Sequence, residues 1–245
     1  LVTRPALRRA QPVSLSQVGV RGSRARYGVK AAYVPFPLRE LPQAARTAFD
    51  ACEPLRVVWV GRLYREKNPL AAVEVVEHVR RKRPARLDVY GSGPLLHALE
   101  ELARDRPWLA VRGARTWEEI QQVQGTAHVC LSTSLRDATQ IAVLEPLARG
   151  VPVVSTRVGD AGGYYARGLH SFCVEPGDPV AAAEAILALA SSYDRYRARF
   201  AANAHELLRR HRDGARRLAA VLESPTSTAR DGASRERGRA ELPVT

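Results

Sequence analysis

Methionine is absent from this sequence, cysteine occurs three times in 245 residues, and aromatic residues make up only 6%. Position 1, where a complete gene product carries methionine, is leucine, so the chain is expected to be a portion of something longer. Cys52, Cys130 and Cys173 are far apart, odd in number and without metal-ligand spacing. That excludes a disulfide framework and a cysteine-built metal centre, and predicts reduced core residues. No uninterrupted apolar run reaches about 18 residues, and the basic N-terminus has no apolar segment with a small-residue cleavage site, so neither a membrane span nor a signal peptide is expected. The predicted location is the cytoplasm. Acidic residues are scarce relative to basic ones, 25 against 38, leaving a net charge of +13. Such a surplus suits anionic partners, namely nucleic acid, anionic lipid headgroups or phosphorylated small molecules. Nucleic acid is the least expected, because there is no aromatic-rich binding strip and the tail "ARDGASRERGRAE" carries acids as well.

What is present is an alternation. "LRVVWVG" (55–61), "ARLDVYG" (85–91), "LAVRG" (109–113), "HVCLSTS" (128–134), "PVVSTRV" (152–158) and "SFCVEPG" (171–177) are short apolar runs of strand type. Helical patterns separate them. Asn68-Pro69 reads as a cap with proline at the first helical position, and Leu70, Val73, Val76 and Val79 follow as a buried face. "PLLHALEELARD" (94–105) is the next helix, Thr116 and Glu119 form a capping box for a third, and Asp178-Pro179 opens a long alanine-rich helical region. Six strands alternating with helices predict an α/β fold, a Rossmann-like doubly wound parallel sheet, with ligands at the carboxyl ends of its strands. Residues 1–50 show no βαβ pattern and are read as the end of a truncated domain plus linker; 51–222 form the main domain, and 223–245 are polar and expected to be disordered.

Three loops at strand ends carry the candidate chemistry. "GRLYREKNP" offers Gly61, Arg62 and Lys67 at a helix entrance, two cations suited to a phosphate or diphosphate. "GSGP" contributes Gly91 and Gly93, which either let a ligand approach the backbone or simply turn it. "SLRDATQIAVLEPLARGVPVVST" (134–156) holds Asp137 and Glu145 eight positions apart, around a helix expected from about Thr139 to Arg149. A carboxylate at 145 within an apolar face requires a partner, a ligand or another group.

In this order the three loops resemble the C-terminal, nucleotide-sugar-binding domain of retaining GT-B glycosyltransferases of group 1, the family 4 type. Such domains carry a "GRL…KN" loop, a "G.GP" turn and a Glu-x7-Glu motif followed by "A…G.PVV"; here stand "GRLYREKN", "GSGP", Asp137-x7-Glu145 and "LARGVPVVST". The resemblance covers residues 55 to about 190. It implies transfer of a sugar, with retention, from a UDP- or GDP-sugar to an acceptor that is a saccharide, a lipid-linked molecule or a small molecule, without a metal or other cofactor. It implies that Arg62 and Lys67 neutralise the donor diphosphate, that Glu145 binds ribose, that Asp137 lies near the donor sugar, and that backbone N–H groups of Ala138, Thr139, Gln140 and Ile141 cap the phosphate.

The departures are specific. Asp137 stands where the family has glutamate, Ala138 where it has glycine, and no glutamate occurs around Gly162-Gly163. Retracting the sugar-facing group by one methylene favours nucleotide binding over transfer, so a non-catalytic nucleotide-sugar-binding module is the alternative. Family members place their active site between two domains, so this chain alone is not expected to catalyse efficiently. The basic run "LLRRHRDGARR" (207–217) is read first as a solvated helix face and second as a peripheral contact with anionic lipid.

Overall fold

Each apolar run that reads as a strand enters one sheet. The structure is a computed structural model describing residues 12–38, 49–50 and 52–223; the tail beyond Glu223 lies outside the described residues. An N-terminal unit comes first: β1 (Val13–Ser14), α1 (Gln17–Tyr27) and β2 (Ala32–Tyr33), with β1 and β2 paired in parallel. This small βαβ unit corrects the expectation of no such pattern before residue 50. Strands of two residues carry no periodicity to detect.

The main domain follows as β3 (Leu55–Val60), α2 (Pro69–Arg80), β4 (Ala85–Tyr90), α3 (Leu96–Arg104), β5 (Leu109–Gly113), α4 (Trp117–Thr126), β6 (Val129–Ser132), α5 (Ile141–Ala148), β7 (Val153–Thr156), β8 (Cys173–Val174), α6 (Pro179–Ser191), α7 (Tyr193–His211) and α8 (Gly214–Glu223). The six strands β3–β8 are all parallel, in the order β5-β4-β3-β6-β7-β8. Leu55, Val57, Val129, Val153 and Val154 are completely or almost completely buried, as strands covered on both faces require. Cys130 and Cys173 join that core, but Cys52 is exposed.

The order of the strands decides where a ligand can sit. The chain leaves β3 toward one edge through β4 and β5, then returns to the other side of β3 as β6. The loops leaving the carboxyl ends of β3 and β6 therefore diverge from neighbouring strands, which opens a crevice at this switch point.

Local chemistry sets the helix entrances. Thr116 and Glu119 exchange both bonds of the capping box, and the Asp178 side chain accepts from the Ala181 N–H. Asn68 departs from expectation: it precedes Pro69 but makes no side-chain cap bond, and its backbone is left-handed, with φ +50°. The cause is tertiary. The buried Trp59 indole donates to Thr133 Oγ1 (3.0 Å), and that hydroxyl donates to the Asn68 carbonyl (2.7 Å). β3, the β6 loop and the entrance of α2 are thereby locked together one residue after Lys67. The alanine-rich region does not form one helix; it breaks at Ser192 into α6 and α7.

Candidate nucleotide-sugar site

The β3 loop is held against the β4 loop by three backbone bonds: Gly61 N–H to Tyr90 O (3.0 Å), Leu63 N–H to Ser92 O (2.8 Å) and Leu95 N–H to Leu63 O (3.0 Å). Gly91 (φ +146°) and Gly93 (φ +151°) make this approach possible. A Cβ at Gly91 would lie 1.8 Å from Gly61 O, and one at Gly93 2.7 Å from Leu63 O. Of the two roles open to these glycines, the close approach is thus to another backbone. Neither lines the crevice.

The β6 loop meets the same β3 loop from the other side. The Leu135 N–H donates to Glu66 O (2.8 Å), and Lys67 Nζ pairs with Asp137 Oδ2 at 2.5 Å. These two side chains are only 19% and 17% exposed, while Arg62 is 70% exposed and, among the described residues, its one carboxylate neighbour, Glu66, is 4.0 Å away. Arg62 is therefore free to turn toward an incoming anion, and Lys67 is already positioned. Asp137 Oδ1 accepts from its neighbour, the Ala138 N–H (2.9 Å).

Together these loops enclose a cavity of about 380 Å³ lined by Gly61, Arg62, Lys67, Asp137, Thr139, Gln140 and Ile141, with Trp59 and Ser132 beside them. The helix following Asp137 starts only at Ile141, two residues later than the sequence suggests, because 137–140 form a loop with its own anchors. Among the described residues, the backbone N–H groups of Thr139, Gln140 and Ile141 have no backbone acceptor. Such open donors at a helix entrance favour an anion.

Gln140 lines this cavity yet is 1% exposed, and its side chain is fully employed. Nε2 donates to Thr156 O (3.1 Å) and Val158 O (3.0 Å), and Oε1 accepts from Ser132 Oγ (2.9 Å). Gln140→Leu would remove all three of these hydrogen bonds, each worth about 0.5–1.5 kcal/mol net. A loss of several degrees in Tm is the expected result, measured by thermal unfolding; an unchanged Tm would remove this role.

Glu145 does not line the cavity. Its carboxylate faces α4, accepting from Trp117 Nε1 (3.1 Å) and Gln121 Nε2 (3.0 Å). The partner that a half-buried carboxylate requires is thus within the protein. Arg112 and Arg115, at the end of β5, are likewise engaged, Arg112 with Asp88 (2.8 Å) and Arg115 with its neighbour's carbonyl, Ala114 O (2.9 Å).

In the loop after β7, noted from the sequence only for its missing glutamate, Gly159 and Asp160 have roles that sequence reasoning did not find. Gly159 has φ +58°, and a Cβ there would lie 2.2 Å from Ala138 O; the Asp160 N–H donates to that same oxygen (2.9 Å). The Asp160 carboxylate then accepts from the first-turn N–H groups of α1, Gln17 (2.8 Å) and Val18 (3.2 Å). Thr139 Oγ1 donates to Leu15 O (3.1 Å), so the N-terminal unit borders the site. Tyr164 is buried, and burial, followed by the nearby Asp160 charge, pushes the pKa of its phenol upward. The only signal in the sequence was the glycine density of "VGDAGG".

Among the described residues no group of three or more His, Cys, Asp or Glu side chains is placed to hold a metal ion, and no helix is long and apolar enough to cross a membrane. Residues 54–192, more than half of the chain, match the family described as glycosyl transferases group 1. The chain is 36% identical over 123 residues to a component of the phosphatidylinositol N-acetylglucosaminyltransferase of Arabidopsis thaliana, covering 48% of this chain and 27% of that protein. It is 33% identical over 152 residues to the D-inositol 3-phosphate glycosyltransferase of Corynebacterium urealyticum, covering 56% of this chain and 35% of that protein. It thus spans about a third or less of these relatives. HepE of Anabaena, solved with UDP and glucose, superposes with a TM-score of 0.72 over 91% of this chain and 68% of that one at 14% identity, a likeness of fold.

Proposed function

Because this chain belongs to the glycosyl transferases group 1 family, we propose that it is the donor-binding half of a retaining, metal-independent glycosyltransferase, which uses a UDP- or GDP-sugar and acts in the cytoplasm. The observation that carries the reading is the convergence of Lys67, Asp137, Arg62 and the open N–H groups of Thr139–Ile141 on one crevice at the sheet's switch point. The diphosphate lies between the two cations and the entrance of α5. The sugar points toward Asp137. As the glycosidic bond breaks, the leaving nucleoside diphosphate gains negative charge, and donors already fixed in place stabilise it without reorganisation.

Glu145 fits a ribose role by capacity. A carboxylate has about four acceptor sites, and Trp117 and Gln121 take two, leaving others for ribose hydroxyls. The titration heats of UDP and of GDP test the reading on this chain. One nucleotide is expected to bind saturably, and Arg62→Ala to weaken it about tenfold or more by loss of one charge-assisted bond. Glu145→Ala is expected to weaken binding through the ribose alone, leaving the affinity for inorganic diphosphate unchanged. Equal binding by the parent and both variants would remove the assignment.

A further inference from the structure

A second and larger cavity, about 700 Å³, lies on the far side of the Gly159–Tyr164 loop, and five arginines line it: Arg21, Arg157, Arg209, Arg210 and Arg217. They come from α1, the β7–β8 connection, α7 and α8, so their meeting is a tertiary event. Three of them have a carboxylate partner, Arg157 in Glu175 (2.9 Å), and Arg209 and Arg210 in a shared Glu206 (2.8 and 3.7 Å). Arg210 donates to Gly163 O (3.1 Å), and Arg21 and Arg217 form no ion pair among the described residues. Of the cavity's two aspartates, Asp160 is engaged by the N–H groups of α1, and Asp213 lies 3.8 Å from Arg216. Like charges gathered in one concavity repel each other unless an anion joins them.

The cavity wall adds an independent observation. A Cβ at Gly163 would meet nothing within 4 Å, and one at Gly162 would meet only the Arg157 side chain, at 3.6 Å or more. Neither glycine has a positive φ. No backbone strain or tight packing requires them, so what they provide is room beside the arginines. The fold holds this space open: His211 Nδ1 bonds to Phe36 O (2.9 Å), and the start of α8 at Gly214 presses on Pro35, where a Cβ would lie 2.3 Å from its carbonyl oxygen. The cavity also adjoins the donor crevice, because Asp160 lines it while its N–H donates to the carbonyl of Ala138 (2.9 Å), between Asp137 and Thr139 of the crevice.

We propose that this arginine-lined cavity binds the phosphate group of a phosphorylated ligand. On the reading of the neighbouring crevice as the donor site, that ligand is the sugar acceptor, and its phosphate holds it beside Asp137. Guanidinium groups suit the task, since each presents paired donors to phosphate oxygens.

Glycerol 3-phosphate titrated into the 245-residue chain, with UDP titrated separately, tests the proposal apart from the donor reading. For a free phosphoester, saturable binding is expected; the Arg21→Ala/Arg217→Ala double variant weakens it at least tenfold and leaves UDP affinity unchanged. Gly163→Glu, which places a carboxylate in open space, abolishes it with equally little effect on UDP. Cosedimentation with phosphatidylcholine vesicles, with and without phosphatidylglycerol, tests the headgroup source. Binding to anionic vesicles that both variants lose supports the proposal with a lipid ligand. Absence of saturable binding to both probes, binding that survives in both variants, or competition of glycerol 3-phosphate with UDP would each overturn it. If neither UDP nor GDP binds while glycerol 3-phosphate behaves as stated, the donor reading alone fails.

Discussion

Lys67→Ala weakens nucleotide binding roughly ten- to a hundredfold and lowers stability, and the two losses have different origins. Lys67 is 19% exposed and sits 2.5 Å from Asp137, itself 17% exposed. Removing the cation leaves a mostly buried carboxylate with one backbone donor, a situation that costs about 3 kcal/mol or more. For a chain of this size that is a fall in Tm of about 6–12 °C. The binding loss instead reflects a missing charge-assisted bond to the diphosphate, about 1.5–3 kcal/mol, or roughly ten- to a hundredfold. Lys67→Ala/Asp137→Ala separates them. Removing both charges restores most of the Tm, because no unpaired ion remains, while affinity for UDP or GDP stays low. Thermal unfolding and calorimetry on the same samples read the two quantities. Recovery of binding in the double variant would mean that Lys67 serves only to neutralise Asp137.

Gly91→Ala is the second large effect, and it needs no charge. The added methyl would sit 1.8 Å from Gly61 O on a backbone with φ +146°, where an L side chain is strained before any clash is counted. Strain of this kind costs about 1–3 kcal/mol, and relieving the overlap displaces the β3 loop that carries Arg62. A loss of about 3 kcal/mol in urea unfolding is expected, together with weaker nucleotide binding. The same chemical change at Gly22, inside α1 with nothing within 4 Å, supplies the contrast. There alanine removes backbone freedom from the unfolded chain and stabilises by about 0.5–1 kcal/mol. If both substitutions have the same sign, the glycine of "GSGP" is an ordinary turn residue.

Much of the framework was legible because its signals are local. Alternation of valine-rich runs with helical patterns identifies all six strands of the main sheet, and the Thr116–Glu119 box marks its helix start. The loops that bear the candidate site were equally legible, since a doubly wound sheet exposes ligands at its strand ends. What each residue does there was less so. Gln140, expected to act through its backbone, clamps three segments with its side chain, and Glu145 looks toward α4, away from the cavity beside Asp137. The β1–α1–β2 unit escaped notice because its strands are too short for a pattern.

The α/β class, the number of main strands and the segments that build a phosphate-binding crevice are written into the chain itself, because hydrophobic period, caps and glycine spacing act over a few residues. That Lys67 faces Asp137 across 70 positions, and that arginines from 21 to 217 share one cavity, emerges only once the chain has folded. Those pairings depend on strand order and on the packing of α7 and α8 over the N-terminal unit, and distances of that kind are set by the fold as a whole, with no trace in local composition.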